Sequence, residues 1–226
     1  TLNRENEDPE VRIAEAQQLG LLQSLIDSNP KTMEIIQKLL KDDSPHVRTA
    51  TIESISQFED REFVKNQITS LLKDEVREVR TAAIDSLRTL DIPNEEVCSI
   101  ISDFLHEKIE WRERNDIANL FVSRKLNDLE LFKQLIFDDA YQVRKTMVTN
   151  ISLLKFDESG LFDIVKEAIS NEDYQIRQVG ILIIIVANLF NNEEGIKILQ
   201  TMMKDEVSNV RLIIAKYAPR HLHLAS

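Results

Sequence analysis

The chain has 226 residues, of which 42% are hydrophobic and 30% are charged, enough apolar content for a packed core and too much for a disordered chain. It contains only 4 Gly and 5 Pro residues, too few for the many tight turns of an all-β or α/β protein, so the composition favours helices. The net charge of −11 has the wrong sign for a protein that neutralises nucleic-acid phosphates, and the single cysteine excludes a disulfide framework or a cysteine-based zinc site.

One short motif recurs along the chain. An acidic turn is followed by an apolar residue and then by Arg, and successive copies are about 33 residues apart. A period in this range is typical of arrays of stacked repeats. One copy departs from the pattern, because Glu113 replaces the apolar residue. The seven copies place Arg at Arg12, Arg48, Arg80, Arg114, Arg144, Arg177 and Arg211.

The residues that follow each motif have helical periodicity, so we predict that each motif opens a helix. Apolar residues follow Val47 at offsets of three, eight and eleven, and the same offsets follow Val79. These offsets fall on one face of an α-helix. Ser44 and Pro45 give one such helix a typical start. Ser can cap the free amides, and Pro fits the first helical position because the helix does not need an N–H donor there.

An apolar-periodic segment also precedes each turn, and we predict a helix there. Cys98 lies on the apolar stripe of one such segment with Ile101 and Leu105, which indicates a small core residue. The repeating unit is therefore a helix, a short acidic turn and a second helix. We predict an all-α fold, a right-handed α-solenoid of about seven helix pairs that forms one domain over residues 1–226. The predicted first helices cover residues 33–41, 61–73, 94–107, 128–137, 160–170 and 195–204.

Residues 181–186 are all apolar, which suggests a membrane segment, a buried strand or a buried helix. A bilayer span needs roughly 20 apolar residues, whereas this run follows Gly180 and has charged flanks. A buried strand fits the β-branched residues, but the register of the other units favours the second helix of the sixth unit. We therefore predict a core helix enclosed by neighbouring helices.

The third residue before the repeat Arg is aromatic in three consecutive units, at Trp111, Tyr141 and Tyr174. Stacked units repeat a surface position at a spacing of roughly 10 Å, so the rings should form a row. Trp and Tyr next to polar side chains have the composition of a protein-binding hot spot. An alternative is that each ring folds back onto its own turn and caps the core. The polar neighbours of the row are Arg112, Gln142 and Gln175.

We interpret five of the repeated Arg residues as structural, namely Arg48, Arg80, Arg144, Arg177 and Arg211. A cation at a helix start is disfavoured by the helix dipole, so each Arg should reach an acidic side chain or a carbonyl in a neighbouring turn. Such contacts would form a ladder that locks the stack. The candidate partners are Asp43, Asp74, Asp139, Asp173 and Asp205.

The sequence contains no recognisable catalytic, cofactor or metal constellation. The chain has four histidines, His46, His106, His221 and His223, and the last two are two residues apart, which does not place them on one helical face. No glycine-rich phosphate loop is present. We therefore expect a non-enzyme without cofactor or metal, which binds neither nucleic acid nor membranes. The single cysteine fits a reducing compartment, so we expect a cytoplasmic protein, with the nucleus as a second location.

The period, the paired helices and the Asp of the turn followed by Val-Arg resemble the HEAT repeat over nearly the whole chain. The ordered set "EWRER", "DAYQVR", "DYQIR" and "DEVSNVR" is similar to the C-terminal repeats of the scaffolding A subunits of protein phosphatase 2A. In that family these repeats hold the phosphatase catalytic subunit through the turns within each repeat. The resemblance implies a non-catalytic scaffold with contacts at Trp111, Arg112, Tyr141, Tyr174 and Val207.

The chain has fewer units than those phosphatase scaffolds, so we interpret it as a fragment or a shortened array. A regulatory subunit is a further partner that the resemblance allows. The alternative function is that of a transport or adaptor HEAT protein, which captures a basic cargo segment on an acidic surface. Ionic strength separates the two, because capture by charge weakens steeply with salt whereas aromatic anchoring does not.

Overall fold

The computed structural model describes residues 8–19 and 30–217. Within these ranges the chain forms thirteen α-helices and no β-strand. Short 3-10 segments at Ile151–Leu153 and Leu189–Asn191 follow two of the helices. In chain order the helices are α1 (Pro9–Leu19), α2 (Pro30–Leu39), α3 (Pro45–Ile55), α4 (Arg61–Leu71), α5 (Arg77–Thr89), α6 (Asn94–Leu105), α7 (Trp111–Arg124), α8 (Leu129–Ile136), α9 (Tyr141–Asn150), α10 (Glu158–Ile169), α11 (Tyr174–Val186), α12 (Glu193–Met202) and α13 (Ser208–Tyr217).

The chain divides into two compact units, Thr1–Lys108 and Ile109–Ser226, which we call unit 1 and unit 2. Unit 1 contains α1 to α6, and unit 2 contains α7 to α13. Both units repeat the order of a first helix, a short acidic turn and a second helix. The all-α class and the helix pairs of an α-solenoid are thereby confirmed. A single domain over residues 1–226 stays a prediction.

The helix starts agree with the sequence. All six predicted first helices are present, and each second helix begins three residues before its Arg, as Pro45 does for α3. Asp60 and Asp128 cap α4 and α8 by accepting hydrogen bonds from main-chain amides. Ser44 behaves differently from the prediction, because its side chain makes no capping hydrogen bond. Its amide instead donates to the carboxylate of Asp42 at 2.9 Å.

The core of unit 1 contains the apolar face predicted for its second helices. α3 packs against α1 and α5. Val47 and Val79 are fully buried, and the residues three, eight and eleven positions after each of them are buried as well. Cys98 is buried on α6, as expected for a small core residue. Each fully buried aliphatic side chain stabilises the fold by roughly 1.5–3 kcal/mol, so this repeated face accounts for much of the packing of unit 1.

The core of unit 2 is organised around α11. This helix packs against α9, α10 and α13. Gly180 allows α10 to approach, since a Cβ at this position would lie 2.9 Å from Cγ2 of Ile169. The prediction that the apolar residues 181–186 form a helix is confirmed. The prediction that neighbouring helices enclose this helix completely is wrong. Leu182 and Ile185 remain only half-buried, because they lie on a stripe that the three packing helices leave open.

Three phenylalanine rings pack together in the first part of unit 2. The ring centroids of Phe132 and Phe156 are 4.6 Å apart, and Phe121 lies 6.4 Å from each of them. The rings are tilted against each other, in the distance range of favourable aromatic contacts. The cluster joins α7, α8 and the segment before α10 into one core.

Candidate protein-binding surface

The three aromatic residues predicted to form a row occupy one structural position. Trp111, Tyr141 and Tyr174 are the first residues of α7, α9 and α11, and all three belong to unit 2. In unit 1 the same position is held by Pro9, Pro45 and Arg77, at the starts of α1, α3 and α5. We call the row of Trp111, Tyr141 and Tyr174 the turn ridge. The aromatic character of this position is therefore a property of unit 2.

The exposure of the rings differs along the turn ridge. Tyr141 is 61% exposed, so its ring does not fold back as a cap on the core. Trp111 and Tyr174 are half-buried, so each ring combines contact with its own unit and an accessible edge. Large rings with few rotatable bonds supply contact area at low entropic cost. The ridge thus presents a central exposed ring between two partly anchored ones.

Trp111 and Arg112 form a preassembled pair. The guanidinium carbon of Arg112 lies 4.9 Å from the centroid of the Trp111 ring, within the range of cation–π attraction. Nη1 of Arg112 also lies 3.7 Å from a carboxylate oxygen of Glu110. These contacts keep the cation next to the ring, although the Arg112 side chain remains exposed. The first position of the ridge therefore offers an aromatic surface together with hydrogen-bond donors.

An open cleft with a volume of about 460 Å³ joins the first two turns of unit 2. Its wall includes Trp111 and Ala140, the residue that directly precedes Tyr141. The wall combines an indole ring with charged groups, a surface suited to a side chain that protrudes from a partner. The lining residues are Glu110, Trp111, Arg114, Asp139 and Ala140.

Bidentate ion pairs connect successive turns of unit 2. Arg177 donates to Asp205 from Nε at 2.7 Å and from Nη2 at 3.0 Å. Arg114 donates to Asp138 in the same way, at 2.6 Å and 3.0 Å. Each Arg also donates from Nη1 to main-chain carbonyl groups of its own turn. We call this set of contacts the arginine ladder, because each Arg ties its own turn to the next one.

Unit 1 contains the same ladder. Arg12 donates to Asp42 from Nε at 2.7 Å and from Nη2 at 2.9 Å. Arg48 donates to Asp74 from Nε and from Nη2, each at 2.8 Å. The side chains of Arg48 and Asp74 are almost completely buried. A buried, bidentate pair holds its groups in a fixed geometry. The predicted structural ladder is thereby confirmed for Arg48 in unit 1 and Arg177 in unit 2, while Arg80 and Arg211 donate to carbonyl groups of their own turns.

The acidic partners of the ladder differ in part from the prediction. Asp74 and Asp205 are correct. The turns before α3 and α9 each contain two adjacent Asp residues. In both turns the first Asp accepts the two hydrogen bonds from Arg, whereas we predicted the second. The corrected partners are Asp42 for Asp43 and Asp138 for Asp139, with Asp139 making an additional contact to Arg114.

The ladder carboxylates accept main-chain hydrogen bonds as well. Asp205 accepts from the amide of Val207 at 2.8 Å, which orients its carboxylate towards Arg177. The hydrogen bond from Arg177 and this amide lower the pKa of the Asp205 carboxyl, although burial opposes the change. Burial alone would raise the pKa of Asp42, but hydrogen bonds, chiefly from Arg12, outweigh it and the pKa is lowered. Both groups therefore stay ionised at neutral pH.

One step of the ladder is neutral. Asn171 stands where the turns before α3, α5, α9 and α13 have Asp, and its side chain accepts from the amide of Asp173 at 2.9 Å. The buried Arg144 instead donates from Nη2 to the side-chain oxygen of Gln175 at 2.6 Å. Gln175 thus positions the turn before Tyr174 while it remains exposed. Asp173, a predicted ladder partner, caps α11, so that assignment is wrong.

The remaining predicted contact residues lie at the two sides of the ridge. Gln142 is exposed next to Tyr141. Val207 is half-buried and directly precedes α13, so its structural equivalent is Ala140. Ser208 is the first residue of α13 and shares the register of the aromatic residues. The ridge positions in unit 2 are therefore aromatic in three turns and polar in the fourth.

Sequence reasoning missed the role of Glu113. This residue is fully buried, and its carboxylate accepts a hydrogen bond from the amide of Glu110 at 3.1 Å. Glu113 is the third residue of α7, so the contact is the return half of a capping box. The spacing of three residues between Glu110 and Glu113 is the pattern in the sequence that could have predicted this capping box. The departure from the motif before Arg114 therefore stabilises the start of the helix that carries Trp111.

A second set of ion pairs links the first helices of unit 2. Nζ of Lys133 on α8 lies 2.7 Å from Glu167 on α10. Nζ of Lys166 on α10 lies 2.8 Å from Glu194 on α12. Exposed pairs of this kind contribute about 0–1 kcal/mol each, so they favour the register of the stack more than its stability. Sequence reasoning missed these pairs, because each joins residues of different repeats.

No group of three or more His, Cys, Asp or Glu side chains within residues 8–19 and 30–217 is arranged to hold a metal ion. No helix in the same ranges has both the length and the apolar character that crossing a bilayer requires. His221 and His223, the pair considered as metal ligands, lie outside the described residues.

Residues 2–88 match the family model described as HEAT repeats. Similar solved structures include the HEAT-like repeat protein of the archaeon Thermococcus onnurineus NA1, with 15% identity, a TM-score of 0.45, and coverage of 98% of this chain and 98% of that chain. They include the complex of CpcE and CpcF of phycocyanin lyase from Nostoc sp. PCC7120, with 12% identity, a TM-score of 0.44, and coverage of 94% and 96%. YibA of Escherichia coli has 14% identity, a TM-score of 0.46, and coverage of 94% and 75%. No curated protein matches the chain.

Proposed function

We propose that the chain is a non-catalytic HEAT-repeat scaffold that holds a serine/threonine phosphatase catalytic subunit on the turn ridge of unit 2. The HEAT-repeat match over residues 2–88 supports a role in protein interaction. The exposure of Tyr141 carries the choice of surface, because a large ring at a fixed helix start has no role in the core. The motif order around Trp111, Tyr141 and Tyr174 supports the choice of partner.

The arginine ladder makes the turn ridge a preorganised surface. Arg114 and Arg144 fix the turns that carry Trp111 and Tyr141, through contacts with Asp138 and Gln175. A surface whose geometry is fixed before binding loses less conformational entropy in the complex. The ridge can therefore serve as a rigid platform on which the aromatic side chains anchor the partner.

The other proposed contact residues have graded roles. Arg112 provides donors next to the Trp111 ring, and Gln142 provides a polar group next to Tyr141. Val207 lies at the end of the ridge, where its half-buried side chain supplies apolar area at the rim. Gln175 acts mainly by positioning, because its side-chain oxygen is already engaged by Arg144. We expect Trp111, Tyr141 and Tyr174 to supply most of the binding free energy.

The test measures binding of the immobilised chain to a purified serine/threonine phosphatase catalytic subunit. We expect the wild-type chain to retain phosphatase activity on the resin. Replacing the ridge residues Trp111, Tyr141 and Tyr174 with Ala should abolish retention without loss of helicity in circular dichroism. Each single replacement should weaken binding by about 2 kcal/mol, as expected for aromatic hot spots.

The matched control removes exposed apolar side chains outside the ridge. Tyr217→Ala and Met203→Ala change side chains that are 50% and 39% exposed in unit 2. These variants should retain the phosphatase as the wild type does. Failure of the wild-type chain to retain the catalytic subunit would overturn the choice of partner. Equal loss in the ridge and control variants would remove the ridge from the binding surface.

A second candidate function is that of an adaptor or transport protein that captures a basic cargo segment. The observation that favours it is the exposure of acidic side chains at the turns, where Asp139 and Glu206 are each 88% exposed. Retention that disappears at high ionic strength would favour this adaptor, whereas salt-resistant retention supports the aromatic ridge. In either role we propose a cytoplasmic, and additionally nuclear, protein, with a phosphatase regulatory subunit as a further partner of the scaffold.

A further inference from the structure

Three of the four second helices of unit 2, α9, α11 and α13, contain no acidic residue. Residues 140–156, 174–192 and 207–217 include no Asp or Glu, although the chain has 39 of them. The intervening residues, 157–173 and 193–206, carry ten. In this part of unit 2 the acidic groups are therefore confined to the turns and the first helices.

The three acid-free helices lie side by side. α11 packs between α9 and α13. The side-chain amide of Gln178 on α11 donates to the carbonyl of Asn209 on α13 at 2.9 Å, and Arg144 on α9 donates to Gln175 on α11 at 2.6 Å. Positions one and five after the repeat Arg lie within all three helices and fall on one helical face, and on α11 position eight joins them. On α11 these positions are Gln178, Leu182 and Ile185.

The middle of this face is apolar. Leu182 and Ile185 of α11 are half-buried. Leu212, at position one on α13, is 61% exposed, and Leu153, nine residues after Arg144 and beyond the end of α9, is 51% exposed. Isolated exposed Leu residues are common, but apolar side chains grouped on adjacent helices are typical of interaction sites.

The sides of the face are basic. Lys145 on α9 and Lys216 on α13 are exposed, and Nζ of Lys216 lies 4.9 Å from the centroid of the Tyr217 ring. Arg211 is exposed as well, with Nη1 bonded to the carbonyl of Asp205 at 2.6 Å. The sign of this local charge is opposite to the net charge of −11 of the chain. We call the surface formed by Lys145, Leu153, Leu182, Ile185, Leu212 and Lys216 the acid-free face.

We propose that the acid-free face binds an amphipathic protein segment that combines apolar side chains with Asp or Glu. Its apolar side chains would contact Leu182, Ile185 and Leu212, while its carboxylates would face Lys145 and Lys216. Charge complementarity selects this segment over a basic one, because no carboxylate lies on the face itself. The site is separate from the turn ridge and does not depend on the identity of the ridge partner.

An anionic membrane fits the same surface less well. The acidic turns directly precede the helices of the face, and Asp139 and Glu206 within them are 88% exposed. A flat bilayer that contacts Leu182 would also bring its phosphate groups towards these carboxylates, which is electrostatically unfavourable. A narrow segment that crosses the helices at their midpoints avoids the acidic turns at the helix starts.

The experiment uses the full chain and a fluorescein-labelled synthetic peptide in which Leu and Glu repeat with helical spacing. Fluorescence anisotropy measures its binding. The charge control is the same peptide with Lys in place of Glu. We expect the Leu/Glu peptide to bind, and the double variant Lys145→Glu with Lys216→Glu to weaken its affinity at least about tenfold.

The matched control variant combines Lys197→Glu and Lys204→Glu. It makes the same change in net charge within unit 2, at exposed residues of α12 and the turn after it. We expect its affinity to stay within about twofold of the wild type, because separated exposed charges interact weakly. A second test variant, Leu153→Ser with Leu212→Ser, should lower the affinity about fivefold through loss of apolar contact. Circular dichroism verifies that each variant is folded.

Several outcomes would overturn the proposal. They are an absence of Leu/Glu peptide binding, equal weakening in the α12 control variant, and stronger binding of the Leu/Lys peptide. Binding to phosphatidylserine vesicles without binding of the peptide would assign the face to a membrane instead. If sedimentation velocity finds a dimer that the Lys145→Glu, Lys216→Glu variant dissociates, the face joins two copies of this chain.

Discussion

The turns of unit 1 and unit 2 are held by the same side-chain network but present different surfaces. Arg48 and Asp74 in unit 1 repeat the geometry of Arg177 and Asp205 in unit 2. At the first position of the second helix, unit 1 has Pro or Arg where three turns of unit 2 have an aromatic residue. The ladder thus fixes the backbone of the turn and leaves the adjacent position available for binding chemistry.

The backbone explains why this position can vary. Ser44, before Pro45, has φ −79° and ψ 118°, and Ala140, before Tyr141, has φ −82° and ψ 122°. The two turns therefore share one conformation. The amide of the first helical residue has no acceptor within the helix, so Pro, Tyr and Trp are all compatible with the fold.

The largest effect is expected from breaking a charged step of the ladder in either unit. Asp205→Ala leaves the guanidinium of Arg177, whose side chain is 9% exposed, without its carboxylate. Asp74→Ala does the same to Arg48. Each change should lower the free energy of unfolding by about 3 kcal/mol, because a buried guanidinium loses the carboxylate that pairs with it through two hydrogen bonds. Urea denaturation followed by circular dichroism measures the loss.

Asp163→Ala is the control for this comparison, since the exposed carboxylate of Asp163 lies 4.0 Å from Nζ of Lys166 and forms at most a weak ion pair. It should change the stability by less than about 0.5 kcal/mol. If Asp74→Ala proved as mild as Asp163→Ala, the two units would not depend on a common ladder.

A smaller loss is expected at the neutral step. Gln175→Ala removes one acceptor of Arg144, which keeps its bonds to the carbonyl groups of Asp138 and Asp139. The free energy of unfolding should fall by about 1 kcal/mol, the usual contribution of one hydrogen bond. Gln175→Glu should recover this loss, because a carboxylate can accept the same hydrogen bond with charge assistance. If Gln175→Ala lowered the free energy of unfolding as much as Asp205→Ala does, the charge of the acceptor would not matter for the ladder.

Acid should weaken both units through the same groups. Asp42 in unit 1 and Asp205 in unit 2 have a lowered pKa in the folded chain. Their stabilising effect is therefore complete above the unfolded pKa of about 3.9 and is lost as the pH falls through the folded value. In urea titrations, stability should decline below about pH 4.

The double variant Asp42→Asn with Asp205→Asn provides the control for the acid effect. Its stability should decline less with falling pH than that of the wild type, because the two groups no longer take up protons. An unchanged slope would assign the acid sensitivity to other carboxyl groups.

The smallest effect on stability is expected from making a turn of unit 2 resemble one of unit 1. Tyr141→Pro places Pro at the first position of α9, after the extended Ala140. The change in the free energy of unfolding should stay within about 0.5 kcal/mol, because Pro is well tolerated there. Binding to the proposed phosphatase partner should nevertheless be lost. A large drop in stability would indicate that the Tyr141 ring is part of the fold.

Much of the architecture was predictable from local patterns. The apolar offsets after Val47 and Val79 reflect the geometry of one helix, and the buried residues agree with them. The aromatic residues of the turn ridge were predictable as a set, because they share one offset from the repeated Arg. Which ring is exposed was not predictable, since Tyr141 and Tyr174 have similar sequence surroundings and different burial.

By itself, the sequence determined the repeat period, the helix pairs and the start of each second helix, because these depend on residues within a few turns of one another. Only the tertiary structure decided that Asp42 and Asp138 accept the ladder pairs, and that Gln175 replaces a missing carboxylate. Only the tertiary structure aligned α9, α11 and α13 into one acid-free face. The physical reason is distance along the chain: these contacts join residues of successive repeats, and their geometry is fixed when the helices pack.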